Sequence, residues 1–298
     1  MREFSLDCDN HMKIPNTKCG HPSFIDYGHR KTAHRGDIQR FKCKRCGATF
    51  IRKDVDFHCW YSLEVIAFTL CLFLEGIVLR DLADNFRIAT STVYRWALKF
   101  GALLHQYCSR FRPMHCKVLH CDELFLKMLK KFLYVWDSYA KESKWLTITP
   151  SWQRDKKSAE GLLIESPKPL DDTVTDGCFS YNEPIKKVIG RTNHIVAQDE
   201  SKCLNNVIEG KQSNIRRFTR PRKGFKSSTN VLLFLKLYQH YHNFINNHCG
   251  DKKTTAEKLG YIFYPSGANK QDKIATLLRQ AIKNWLKITN RKCEQFLY

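Results

Sequence analysis

Between residues 117 and 152 the chain runs through three short segments, KVLHCDELFLKML, KFLYVWDSYAK and KWLTITPSW, separated by charged breaks such as LKK and KES. Here the helical spacing of the preceding stretch gives way to short apolar-rich runs bounded by charge. The segments therefore predict three consecutive strands joined by tight turns. The period then changes. DKKSAEGLLIES reads as a helix, DTVTDG as a fourth strand ending at Asp176, NEPIKKVIG as helical, HIVAQD as another short strand and CLNNVIEGKQSNIRR as a helix. Few architectures accept strands and helices in that order: the fold class is α/β, with a mixed sheet flanked by helices.

Three antiparallel strands followed by helix, strand and helix is the order of an RNase H-like core. In such a core the first strand, the end of the fourth and a later helix converge at one edge of the sheet. Asp122, Asp176 and Glu209 fall on those three elements. Carboxylates gathered in this way suit hard divalent cations, Mg²⁺ or Mn²⁺, which prefer oxygen donors. Two such ions can activate a nucleophile and stabilise the leaving oxygen of a phosphodiester. Without metal, like charges raise one another's pKa. Other nearby acids have plainer readings. Glu123 is expected on the opposite face of its strand from Asp122, as a structural or solvated acid. Asp137 could be an edge residue near the site, with a surface role the plainer reading, and Asp171 and Asp172 are expected in the loop before the fourth strand. Trp136 and Trp145 read as core residues, and Trp152 as core or as a contact to a displaced base.

Upstream, residues 1–59 are polar, histidine-rich and punctuated by glycine. FKCKRCGATF carries Cys43 and Cys46 in a CxxC turn followed by Gly47, the pattern of a zinc knuckle. Cys19, 24 residues before Cys43, is the candidate third ligand. Cys8, His11 and His21 all remain open for the fourth, and free thiols in a ribbon without metal are the other reading. Residues 60–112 predict a helix-turn-helix module. SLEVIAFTLCLFLEG is a buried helix ending at Gly76, LRDLADNF a second, RIA a turn, and Thr90 or Ser91 caps TSTVYRWALKFGALLHQY. Val93, Trp96, Ala97 and Phe100 face inward, leaving Thr92, Tyr94, Arg95 and Lys99 for DNA. An ordinary three-helix connector is the alternative. The core is assigned to 113–248 and a C-terminal helical element to 249–298, in which Lys273, Arg279, Lys283 and Lys287 are expected to be exposed.

The chain carries 50 Lys and Arg against 29 Asp and Glu, a net charge of +21, which attracts phosphate polyanions. With 43% hydrophobic and 12% aromatic residues, this is not the composition of a disordered basic tail. Seven bases and no acid lie between Lys211 and Lys226: Lys211, Arg216, Arg217, Arg220, Arg222, Lys223 and Lys226. Gln212 and Arg216 follow Glu209 by one and two helical turns, where they could hold phosphates flanking a scissile bond. The apolar run VIAFTLCLFLEGIVL is broken by Glu75 and too short to cross a bilayer. Thirteen scattered cysteines, an odd number, and the absence of a signal peptide favour a reducing cytosol.

The ordered set DELFLK, FLYVWDSYAKESKWL, RDKKSAEGLL, VTDGCFSY, NNVIEG and RRFTRPRKGFKS resembles the acid-triad (DDE) transposases of bacterial and archaeal insertion sequences, most closely the family numbered six. The resemblance extends over nearly the whole chain, including YHNFINNH and KKTTAEKLG near its end. It implies Asp122, Asp176 and Glu209 as the catalytic triad, cleavage at terminal inverted repeats of double-stranded DNA, and 3′-OH strand transfer into target DNA. It also implies a homo-oligomer, at least a dimer, in the cytoplasm of a prokaryote and associated with its nucleoid. Three positions depart from the pattern. Gln212 stands where relatives place a histidine, Ile14 where a ribbon cysteine often precedes PN, and the 32 residues between Asp176 and Glu209 are slightly fewer than usual. An inactive DNA-binding regulator, or a nuclease of the same fold without strand transfer, are the alternatives.

Overall fold

The structure, a computed structural model, describes residues 24–32, 36–51, 61–128, 131–190, 193–197, 206–220, 228–247 and 253–295. Cys8, His11, Cys19, His21, Arg222, Lys223 and Lys226 lie outside the described residues, as does the side chain of Lys287. The chain divides into two compact units: residues 66–288, and residues 1–65 with 289–298.

Within the smaller unit, β1 (Phe24–Thr32), β2 (Gly36–Cys43) and β3 (Thr49–Ile51) form an antiparallel sheet in sequence order. The CxxC turn follows β2. Cys43 N–H donates to Ala48 O at 2.9 Å and Gly47 N–H to Cys43 O at 3.0 Å. Gly47 has φ +69°, a conformation open to glycine at little cost.

The larger unit begins with α1 (Leu63–Leu74), α2 (Leu79–Phe86) and α3 (Thr90–Cys108). Arg87, in the left-handed region at φ 52°, closes α2, and Ile88 N–H reaches back to Ala83 O at 2.9 Å, the pairing of a Schellman turn. The expected inward residues Val93, Trp96, Ala97 and Phe100 are all buried. The expected caps are not. Ala89 occupies the N-cap of α3 and no side chain caps it, because Thr90 and Ser91 are already in the helix. Tyr94 is not left for a ligand either. It packs edge-on against Phe234 and accepts a hydrogen bond from Asn230.

The core sheet contains β4 (His115–Met128), β5 (Lys131–Ala140), β6 (Trp145–Ser151), β7 (Lys168–Thr175) and β8 (Asn193–Val196) in the order β6-β5-β4-β7-β8. β4, β5 and β6 pair antiparallel with one another, while β7 pairs in parallel with β4 and β8 in parallel with β7. This is the RNase H-like topology that the element order predicts. β4 is central, and residues 119–122 are buried without alternation because both sheet faces are covered there. α4 (Lys156–Glu165) connects β6 to β7, with Asp155 capping it through Ser158 N–H. β7 begins at Lys168, so Asp171 and Asp172 are strand residues and not loop acids. After β7 come a 3₁₀ turn (Phe179–Tyr181), α5 (Asn182–Pro184) and a π turn (Ile185–Ile189). Trp136 packs edge-on against Tyr181 on this face of the sheet. α6 (Asn206–Thr219) lies on the other, since Gln212 bonds Asp137, the neighbour of Trp136 whose side chain alternates to the opposite face.

β6 is an edge strand, and its outward backbone groups need partners if they are buried. α7 (Ser228–Phe244) supplies them. Asn243 accepts from Leu146 N–H at 2.9 Å and donates to Leu146 O at 2.8 Å, while Gln239 accepts from Ile148 N–H at 2.9 Å. Its other side packs on α3, close enough that a Cβ on Gly101 would meet Leu237 Cβ at 3.4 Å. The chain closes with α8 (Thr255–Lys258), opened by a Thr254–Glu257 capping box, and α9 (Lys270–Gln295). Arg279 and Lys283 are exposed as expected. Lys273 is not: it is 2% exposed and donates to Asn247 and Glu257. Among the described residues no helix is long and apolar enough to cross a membrane.

The α7 clamp yields a direct prediction. Asn243→Leu leaves the N–H and C=O of Leu146 buried and unpaired, which costs about 1–3 kcal/mol for each group left without a partner. Urea unfolding should show a lower midpoint with an unchanged slope.

Candidate active site

The register of β4 against β7 builds the site. Their parallel pairing ends at His120↔Val174. Two residues further along each strand come Asp122 and Asp176, so the two acids reach the same level at the carboxyl end of the pair. β4 continues, but β7 stops and turns at Gly177. There φ is +88°, and an added Cβ would lie 2.8 Å from Val196 Cγ1. Only glycine fits this turn without displacement. The turn is tied by Gly177 N–H to Thr175 Oγ1 at 3.3 Å and Cys178 N–H to Asp176 Oδ1 at 2.9 Å.

Oxygens of Asp122, Glu123 and Asp176 lie within 4.8 Å of one another. Burial raises the Asp122 carboxyl to about 7; the N–H of Glu123, 2.8 Å from Oδ1, opposes the shift, and the charges of Asp176, Glu123 and Glu209 add to it. Burial likewise raises Glu123, whose Oε1 accepts from Arg154. The carboxylate oxygens of Asp122 and Asp176 suit a hard divalent cation, while Glu123 beside them is engaged by Arg154. Glu209 stands in the exposed first turn of α6. Its charge acts on Asp122, but it is outside the tight group of three.

Two acids and one amide differ from expectation. The Glu123 side chain is 5% exposed, held by Arg154, and belongs to the acid cluster. Strand alternation alone sends it away from Asp122, but Asp122 Oδ1 turns back to the N–H of Glu123, and oxygens of the two carboxylates lie within 4.8 Å. Asp137 is fully buried, directly opposite Asp122 in the β4–β5 ladder. Burial and the Asp122 charge push its carboxyl well above the usual range. Gln212 is 4% exposed and donates to Asp137 Oδ1 at 3.2 Å, so it fixes α6 to the sheet and is not available to DNA phosphates. The β4–β5 register could have located Asp137: from the Met128↔Lys131 pair, equal counts back along both strands set it against Asp122. Arg154 drew no attention in the sequence, since nothing local ties it to Glu123.

The bases expected to bind DNA are placed separately. Arg95 and Lys99 are exposed on α3, and Thr92 is half-buried. Arg216, Arg217 and Arg220 are exposed on and just after α6. Lys211 stacks its ammonium over Tyr139 at 4.7 Å and, with Arg217, lines a cavity of about 350 Å³. Of the cysteines, Cys43 is buried and Cys46 exposed in their turn. Trp136 and Trp145 are core residues and Trp152 is 43% exposed.

Residues 116–248 match the family DDE_Tnp_IS240, a DDE domain. Among curated proteins, the chain is similar to the transposase for insertion sequence element IS257 in transposon Tn4003 of Staphylococcus aureus. The two are 27% identical over 169 residues, covering 52% of this chain and 74% of that one. The transposase for the IS431mec element of S. aureus strain Mu50 matches with the same identity and coverage. Among solved structures, the HTLV-2 integrase catalytic core domain, in complex with magnesium, superposes with a TM-score of 0.32 at 13% identity, over 48% of this chain and 93% of that one.

Gly177→Ala should destabilise the fold by at least about 1–2 kcal/mol from the left-handed backbone alone, with more from the overlap with Val196, as read by chemical denaturation. Stability should also depend on pH in metal-free protein. With Asp122 raised from 3.8 to about 7, the folded chain keeps a proton that the unfolded chain has released. Stability therefore falls as pH rises through that window. Asp122→Asn, neutral throughout, should flatten this part of the profile in urea titrations with chelator present, leaving the slope from the raised Glu123 and Asp137 carboxyls.

Proposed function

We infer from the match of residues 116–248 to a DDE domain family that this chain is an insertion-sequence DDE transposase, which cuts the terminal inverted repeats of its element and joins the 3′ ends to target DNA. Asp122, Asp176 and Glu209 form its catalytic triad. The observation that carries the reading is the meeting of Asp122 and Asp176 at the carboxyl end of the β4–β7 pair, with the charge of Glu209 acting on Asp122.

In both steps an oxygen, first of water and then of a 3′ hydroxyl, attacks phosphorus while a P–O3′ bond breaks and the departing oxygen takes up a proton. Bound Mg²⁺ or Mn²⁺ supplies Lewis-acid stabilisation to the attacking and departing oxygens. Asp122 feels both Asp176 and Glu209, so it is the carboxylate shared by the two halves of the site. The Gly177 turn holds Asp176 in place. Gln212, bonded to Asp137 one turn beyond Glu209, orients the helix that carries the third acid. The exposed bases Arg216, Arg217 and Arg220 follow on the same helix and its end, where they take flanking phosphates, and Arg222, Lys223 and Lys226 extend that path in sequence. Thr92, Arg95 and Lys99 of α3 bind the repeat as the second helix of a helix-turn-helix. The protein works as at least a dimer, because two element ends must be joined together, and it acts on DNA in the prokaryotic nucleoid.

The test is incubation with DNA bearing the matching terminal repeats and Mg²⁺. Wild type should cleave and join; Asp176→Ala should lose roughly 10³-fold or more in rate, as expected when a group stabilising the transition state is removed. An Asp176→Ala enzyme as fast as wild type would overturn the triad. Hydrolysis without joining supports the nuclease instead, and binding without cleavage the regulator.

The N-terminal sheet is a zinc ribbon using Cys43, Cys46 and Cys19, supported by the Cys43–Gly47 turn, which holds the two thiols on one tight loop. Zinc measured on the full chain should be one ion per molecule and fall sharply in Cys43→Ala. No zinc in the unmutated protein would remove this assignment.

A further inference from the structure

We propose that Arg154 is a further catalytic residue: its guanidinium, fixed by Glu123 beside the acid cluster, binds a non-bridging oxygen of the scissile phosphate. The proposal rests on the active-site reading above and adds a cation to a site so far made of acids.

The support is geometric. Arg154 lies in the short turn between β6 and α4, and that turn is tied on both sides. Ser151 Oγ accepts from Gln153 N–H at 3.2 Å and shares a 2.7 Å hydrogen bond with Ser158 Oγ. Asp155 Oδ1 accepts from Ser158 N–H at 2.9 Å and from its hydroxyl at 2.6 Å. From this anchored turn Nε of Arg154 donates to Glu123 Oε1 at 2.5 Å, and Nη2 contacts the same oxygen. A guanidinium has five N–H donors in a planar fork, and among the described residues no other acceptor takes the rest. The Arg154 side chain is 50% exposed while that of Glu123 is 5% exposed, so the pair has a buried anchor and an accessible cationic end.

Its position separates this pair from an ordinary surface ion pair. Glu123 oxygen lies within 4.8 Å of oxygens of Asp122 and Asp176, so the guanidinium stands one carboxylate away from the catalytic acids. A fixed positive charge there opposes metal binding by repulsion and gains nothing from a second cation. It becomes favourable when an anion arrives, and the scissile phosphodiester is the anion this site receives. As the nucleophile's oxygen attacks phosphorus and the P–O3′ bond breaks, charge is spread over the non-bridging oxygens. Arg154 donates N–H groups to them and neither makes nor breaks a covalent bond. Glu123 is the positioning residue. It neutralises Arg154 on one side and fixes the plane of its fork.

The experiment uses the full chain on pre-bound DNA ends. Arg154→Gln should slow single-turnover cleavage about 10²-fold or more, with DNA-end affinity in Ca²⁺ changed by less than about threefold, the scale of a single exposed phosphate contact. Arg154→Lys should recover only part of the rate, since an ammonium lacks the fork. Mn²⁺ affinity, titrated with the metal alone, should be unchanged or tighter in both variants. Glu123→Gln should reproduce the rate loss with Mn²⁺ affinity intact, and the double variant should add little to either single one, the signature of coupled residues. Wild-type cleavage by Arg154→Gln overturns the proposal. A loss of Mn²⁺ affinity of about tenfold or more in Glu123→Gln overturns it as well, by making Glu123 a metal ligand. Asp122→Asn separates the two levels: if it cleaves normally, the active-site reading itself has failed, whereas if it is inactive while Arg154→Gln is not, only the role of Arg154 has.

Discussion

Carboxylates buried side by side are the constraint on which this core is organised. Asp122, Glu123 and Asp137 occupy neighbouring strand positions, and desolvation drives each toward its neutral form. An apolar sheet would not tolerate three such groups without contacts for them. Asp122 has the N–H of Glu123, Glu123 has Arg154, and Asp137 has Gln212. Each of these partners comes from a different part of the chain, so the acid cluster ties together the β4 strand, the turn before α4 and the helix α6. What looks like local chemistry is therefore a long-range packing requirement.

The rest of the sheet is arranged so that this strain does not spread. The covered faces around β4 are filled by large apolar side chains, Trp136 and Tyr181 on one side and Ile208 and Ile215 of α6 on the other. The carboxyl end of the β4–β7 pair is left open, because β7 turns away at Gly177 while β4 runs on. An open crevice at the ends of parallel strands is where α/β proteins generally accept ligands. Here it coincides with the acids because the register of two strands puts it there.

Much of this was legible in the sequence. The three short segments between charged breaks, the helix and fourth strand after them and the acid before glycine lead to the observed topology, and Asp122 and Asp176 meet where the element order puts them. The reading went wrong where a contact skipped over many residues. For Asp137 the surface reading fails, because YVWDSY says nothing about what covers it. Gln212 was assigned to phosphates because helical spacing gives a direction but not a depth, and the buried acid it faces is on another strand. Lys273 was assigned to solvent by the same argument, yet it ends among Asn247, Glu257 and Tyr264. Local period identifies elements and faces; it does not report which polar side chain another element will meet.

The helix α7 reads in sequence as little more than an apolar segment, but its two sides hold different partners. One packs on α3 and the other bonds the backbone of β6 through Asn243 and Gln239. Sliding α3 along the sheet would tear hydrogen bonds out of the β6 edge, which makes the intervening helix a ruler between the two. The spacing between α3 and the sheet that carries the acids is therefore written in the side chains of the helix between them.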